Sequence, residues 1–252
     1  MLNRRKESNE GTSAHAPVVL CSIATAGTAL LVQRAFGFSR FFPVNVILIF
    51  GLFSALIVFF AQRYVKSRSF GPANGVTLVR SALTAMLLAL IAENGGVAAA
   101  REAWCAAIIA TVVLVLDGVD GWLARRCGDA SDFGARFDME TDALLILAAA
   151  TLAWHFDKAG PWILAAGWMR YMFVAASGVL PWMRRPLPVS RRRKTIFVAQ
   201  AVSLILCLLP VVSYPISAVI AFAGLVLLTG SFLTDIAWLF ERDDLTVGDW
   251  GK

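Results

Sequence analysis

Residues 117–142 read DGVDGWLARRCGDASDFGARFDMETD, with six aspartates and a glutamate. The run before them, 106–116, is AAIIATVVLVL, and the run after them, 143–154, is ALLILAAATLAW. An acidic side chain in the middle of a membrane helix costs about 2.5–3.5 kcal/mol. Carboxylates concentrated between two apolar segments therefore require a compensating partner, and that requirement organises the rest of the reading.

The setting is a membrane. The chain has 252 residues, 58% of them hydrophobic and 16% charged, with a mean hydropathy of +0.70. A soluble domain carries nearer a quarter charged residues. Eight apolar runs stand out, at 17–36, 42–62, 76–94, 103–125, 138–156, 161–183, 195–212 and 215–239. Most approach the roughly twenty residues that a helix needs to cross a bilayer. The expected fold is all-α and polytopic. A cleaved leader is the alternative for the first run, but EGTSAHAP separates MLNRRKES from it and the run is long for a leader's apolar region.

Basic residues orient the spans, because cytoplasmic loops retain Lys and Arg. With the N-terminus inside, 17 of the 23 Lys and Arg fall in inside segments. Only Arg34, Arg40, Arg101 and Lys158 fall outside, and Arg80 and Arg170 lie within spans. Both termini are therefore expected in the cytoplasm. The net charge of +6 reads as topology, with no nucleic-acid partner needed. Trp104, Trp154 and Trp162 fall near the outer boundary, Trp182 and Trp238 near the inner one, as interfacial anchors do. Cys21, Cys105, Cys127 and Cys207 have no metal-ligand spacing, and no disulfide is inferred. His15 and His155 are isolated and read as surface residues.

The acidic stretch then becomes a helical hairpin. Asp117 lies eight residues before Arg125, roughly 12 Å below the expected helix end at 1.5 Å per residue. Asp117 and Asp120 are three apart, and Gly134, Asp138 and Asp142 are each four apart, so each set shares a helix face. Two carboxylates on one helix thus face two on the next. Hard divalent cations, Mg²⁺ or Mn²⁺, take such oxygen ligands, and a pair of them suits displacement at phosphorus. Gly121 and Ala124 leave room on the same face, and Arg125 offers a planar guanidinium for phosphate. The structural alternative is local pairing, Asp120 with Arg125 and Asp138 with Arg136. Asp129 and Asp132 read as solvated loop residues.

The pattern Asp117-x2-Asp120-Gly121-x2-Ala124-Arg125-x8-Gly134-x3-Asp138-x3-Asp142 resembles, position for position, the signature of the CDP-alcohol phosphotransferase family. NGVTLVR, with Asn74, Thr77 and Arg80, resembles the family's N-x-x-T-x-x-R segment, although Ala73 stands where the family has its proline. The resemblance covers about residues 70–240 and implies a six-helix core with two additional N-terminal helices. It divides the chain into a cytoplasmic tail (1–16), two extra spans (17–69), a catalytic membrane domain (70–240) and a second tail (241–252). The segment RYVKSRSFGPANG, with Gly71 and Pro72, marks the break between the extra spans and the core.

The resemblance implies that Asp117, Asp120, Asp138 and Asp142 hold two Mg²⁺ or Mn²⁺ ions and that Asp142 doubles as general base. It implies a nucleotide pocket lined by Asn74, Thr77, Gly121, Ala124, Arg125 and Gly134. The expected donor is CDP-diacylglycerol or another CDP-alcohol, the product CMP, and the assembly a homodimer in the bacterial inner membrane among its lipids, with the site facing the cytoplasm. The expected acceptor-binding residues are Arg80, Arg136, Arg170, Arg191 and Lys194. RRPLPVSRRRKT is the densest basic loop and reads either as an acceptor-phosphate site or as an anionic-lipid patch. Lys194-Thr195 and Gln200 match in part the G-K-x-K-T-x-x-Q pattern of relatives that use glycerol 3-phosphate. A phosphorylated polyol, glycerol 3-phosphate or an inositol phosphate, is thereby expected. The alternatives are an unphosphorylated acceptor (serine, choline or inositol) and, in a different class, a cation transporter built on the same aspartates.

Overall fold

The structure is a computed structural model describing residues 15–64, 72–93, 99–127, 132–185, 187–188 and 190–247. Within these, the side chains of 15–16, 56–64, 72–74, 99, 120, 122–127, 132–133 and 242–247 are not described. The described residues are helical without strands: α1 (His15–Phe36), α2 (Phe42–Tyr64), α3 (Pro72–Leu90), α4 (Ala99–Cys127), α5 (Asp132–His155), α6 (Leu164–Val179), α7 (Arg191–Leu208) and α8 (Ile216–Val247). Each apolar run falls on helix. The all-α, polytopic expectation holds.

Helix ends differ from the sequence reading where prolines act. Pro72 does not precede α3 but opens it, because its missing N–H is an orphan at that position anyway. Asn74 therefore lies inside the first turn. The sixth run is not one helix. A 3-10 turn at Pro161–Ile163 leads into α6, and Leu180, extended before Pro181, ends it ahead of a second turn at Pro181–Arg184. Asp132 begins α5, where a loop residue was expected.

Length and apolarity support a membrane span for Pro17–Phe36, Ala100–Val119 and Ile216–Glu241, with shorter apolar helices at Phe42–Ala55 and Gly75–Leu90. The others carry visible interruptions. Asp138, Glu140 and Asp142 stand in α5, α6 has 16 residues, and α7 opens with Arg-Arg-Arg-Lys.

The chain forms two compact units, Met1–Leu145 and Ile146–Lys252. In the first, α1 and α2 form a hairpin packed on α3, and α3 packs along α4. Lipid is as apolar as leucine, so close approach of small residues drives such packing. Ala82, Ala85 and Ala89 of α3 and Ala103, Ala106, Ala107 and Ala110 of α4 are all buried. Ala82 and Ala85 belong with Leu78 to the face of α3 that meets Phe50 of α2, joined by Val18 and Cys21 of α1. Gly37 ends α1 at φ +74, in the left-handed region that suits glycine, and its N–H and that of Phe38 both donate to the Gln33 carbonyl.

In the second unit, Gly167 of α6 lies against Leu147 of α5 so closely that a Cβ there would come within 2.6 Å of the Leu147 Cα. Edge-on ring pairs run along α8, Trp162 with Phe222, Phe173 with Phe232 and Trp182 with Phe240. Lys158 donates from Nζ to the Leu209 and Val212 carbonyls at 3.2 and 2.7 Å, closing the end of α7.

Candidate active site

Three carboxylates of the first unit converge at Arg80. This side chain lies midway along α3 and is fully buried. Its Nη1 donates to Asp138 Oδ1 and its Nη2 to Asp142 Oδ1. Nη2 also lies 3.1 Å from Asp117 Oδ1. Three helices, α3, α4 and α5, thus send four charged groups to one place. The spacing explains the two contributions from α5, because residues four apart lie on one face.

The carboxylates open towards solvent in order. The side chain of Asp117 is 10% exposed, that of Asp142 21% and that of Asp138 37%. One oxygen from each lies within 4.8 Å of the others. Ionised, these three carry −3 and Arg80 returns +1, so the described side chains of this largely buried site sum to −2. Such a balance is costly without a further cation. The donors are all hard oxygens, which fits Mg²⁺ or Mn²⁺ rather than a softer metal.

The other residues singled out in the sequence divide as follows. Thr77 is buried on α3, three residues from Arg80 and so on its face. Gly121 lies on α4 and Gly134 on α5, both half-buried. The side chains of Asn74, Asp120, Ala124 and Arg125 lie outside the described residues, although their backbone is helical. Arg136 is exposed on α5. Asp138, for which a local pairing with Arg136 was one possibility, bonds Arg80.

Arg170, Arg191 and Lys194 belong to the second unit. Arg170 is half-buried midway along α6. The basic loop separates into different tasks. Arg184 donates to the Ser177 and Gly178 carbonyls at 2.9 and 2.6 Å and so closes the end of α6. Arg192 and Arg193 both pair with Asp235 of α8. Arg191 and Lys194 stay exposed in the first turn of α7.

Two relationships escaped the sequence reading. Arg80, expected among the acceptor residues, bonds the carboxylates instead, and Asp235 pairs with Arg192 and Arg193. Arg80 had a usable signal, since an arginine inside an apolar run needs a partner and the aspartates were the available acids. Asp235 had none, being one acid near the end of a long apolar helix.

A CDP-alcohol phosphatidyltransferase family model matches residues 70–234. The chain belongs to the CDP-alcohol phosphatidyltransferase family. Neither a curated protein nor a solved structure matches it. The matched stretch starts just before α3 and contains Arg80 and all three carboxylates around it. Membership makes the chain an integral membrane transferase of phospholipid synthesis, acting on a CDP-alcohol and an acceptor alcohol, and favours this over a cation transporter. The divalent metal that such transferases use is compatible with the Asp117–Asp138–Asp142 cluster.

Proposed function

We propose that this protein transfers a phosphatidyl group from CDP-diacylglycerol to a phosphorylated polyol, glycerol 3-phosphate or an inositol phosphate, and releases CMP. The observation that carries the reading is the convergence of Asp117, Asp138 and Asp142, three acids of one spaced signature, with ligand oxygens within 4.8 Å. Asp120, one helical turn from Asp117, completes the set. Two divalent cations bound there would neutralise the diphosphate and stabilise CMP as leaving group. Asp142 accepts the proton of the acceptor hydroxyl, whose oxygen attacks the β-phosphorus as the bond to CMP breaks. Asn74, Thr77, Gly121, Ala124, Arg125 and Gly134 form the nucleotide pocket.

The candidates for the acceptor's own phosphate are Arg136 in the first unit and Arg170, Arg191 and Lys194 in the second. Serine or choline would need no such cations, and choline would be repelled by them. Arg191 and Lys194 support this because they stay exposed while Arg184, Arg192 and Arg193 are engaged in helix ends and ion pairs. Arg80 leaves the acceptor group, since its guanidinium is bonded to carboxylates. All eight helices are taken as spans, with both termini and the site on the cytoplasmic side of a bacterial inner membrane, in a homodimer.

The test is purified enzyme in detergent with CDP-diacylglycerol, Mn²⁺ and a panel of acceptors, read by mass spectrometry of the lipid product. Glycerol 3-phosphate or an inositol phosphate is expected to be consumed with equimolar CMP. Faster turnover of serine, choline or free inositol would overturn the acceptor assignment. Charge-assisted hydrogen bonds contribute about 1.5–3 kcal/mol each. Arg170→Ala or Lys194→Ala is therefore expected to raise the acceptor KM about ten- to a hundredfold, with the donor KM nearly unchanged.

A further inference from the structure

We infer that Arg80 is a built-in counter-ion that holds the carboxylate cluster together before metal arrives and that an entering divalent cation must displace. The inference rests on the cluster being a divalent cation site. It goes further by assigning to Arg80 a role opposed to metal binding rather than to substrate.

Three observations support it. Arg80 bonds one oxygen of each of Asp117, Asp138 and Asp142, and ligand oxygens of these three carboxylates are the ones lying within 4.8 Å of each other. The guanidinium therefore engages the same groups that a cation would bridge. Arg80 is also fully buried, whereas Asp138 and Asp142 are partly open. The cation approaches from the open side, and the arginine sits behind the acids. Finally, the Thr84 hydroxyl donates to the Arg80 carbonyl at 2.9 Å, and Leu78, Ala82 and Ala85 pack against Phe50. This segment of α3 is held on its other side, so Arg80 yields by swinging its long side chain rather than by moving the helix.

The charge balance gives the device a direction. Without Arg80, three carboxylates would face each other at −3, and the metal-free site would be pushed apart. With it, the four described charged groups sum to −2, which still attracts divalent cations. Arg80 thus stabilises the empty site and, for the same reason, weakens metal binding. A guanidinium cannot shed its proton, so the site is relieved only by moving the side chain off the acids.

The experiment is Mn²⁺ binding to metal-stripped protein in detergent, without donor or acceptor, following free aqueous Mn²⁺ by electron paramagnetic resonance. Wild type and Arg80→Gln are compared, with thermal unfolding of the metal-free proteins alongside. Removing a unit charge a few ångströms from the site is expected to tighten Mn²⁺ binding about tenfold or more. The metal-free variant is expected to unfold at lower temperature, with a larger upward shift on adding Mn²⁺. Equal or weaker Mn²⁺ binding by a monodisperse Arg80→Gln, with wild type binding normally, overturns the inference and leaves the metal site standing. No Mn²⁺ binding by either protein overturns the metal site itself. If Arg80→Gln cannot be purified, Arg80→Lys decides: it keeps a cation but loses the fork that spans three acids. Tighter binding than wild type supports displacement, and binding equal to or weaker than wild type overturns it.

Discussion

Glu93, just beyond α3, holds Ser39, in the turn between α1 and α2, with both carboxylate oxygens. Oε2 accepts the Ser39 backbone N–H and Oε1 its hydroxyl, each at 2.8 Å. Glu93 is buried and Ser39 exposed, so the pair ties the N-terminal hairpin to the end of α3 at a partly buried spot. Hydrogen bonds to a charged group contribute about 1.5–3 kcal/mol each. Glu93→Ala is expected to lower stability by about 2–4 kcal/mol, read as an earlier thermal transition in detergent. The KM values of the surviving folded enzyme should stay near wild type. A large change in donor KM with unchanged stability would contradict this assignment.

Gly167→Ala tests the contact between α5 and α6. The added methyl would sit 2.6 Å from the Leu147 Cα, a backbone atom that cannot rotate away. Overpacking of this kind costs about 1–3 kcal/mol. A matching loss in the denaturation midpoint is expected. Gly178→Ala is the control, because a Cβ there meets nothing within 4 Å.

Chelation should abolish turnover, and Mg²⁺ or Mn²⁺ should restore it. Within the cluster, Asp142→Asn is expected to lower turnover at least a hundredfold, the usual range for a general base, with a smaller effect on CDP-lipid binding. Asp117→Asn should weaken metal and nucleotide binding as well. Near wild-type turnover in Asp142→Asn would remove it as the base.

Topology is checked by cysteine labelling in a cysteine-depleted background. His155→Cys, exposed at the end of α5, should react with an impermeant reagent added outside. Pro188→Cys, exposed in the basic loop, should react only after permeabilisation. The reverse pattern would place the site on the opposite face.

The fold was largely legible because membrane helices announce themselves by length and apolarity, and because the acids repeat at helical intervals. Asp117, Asp138 and Asp142 could be placed on facing surfaces from spacing alone. What spacing cannot supply is which helix stands opposite a given face. Arg80 lies 58 residues before Asp138 and Arg192 lies 43 before Asp235, so neither partnership has a local trace. The break after Val179 was present in the sequence as Leu180-Pro181. Proline is apolar enough to sit inside a hydrophobic run, yet its missing N–H and the extended residue before it end the helix there.

The position of Arg80 in chain order has a consequence for biogenesis. Asp142 is translated 62 residues after Arg80, a delay of several seconds at roughly 5–20 residues per second. Until Asp117 follows, α3 must hold in the bilayer a guanidinium with none of its three acids to meet, at a cost of about 2.5–3.5 kcal/mol, and the two acids of α5 come later still. The α1–α2 hairpin has been synthesised by then and presents Phe50 and the Ser39 turn as a ready berth. The two helices outside the family match are thus already in the chain to pack on α3 when it arrives.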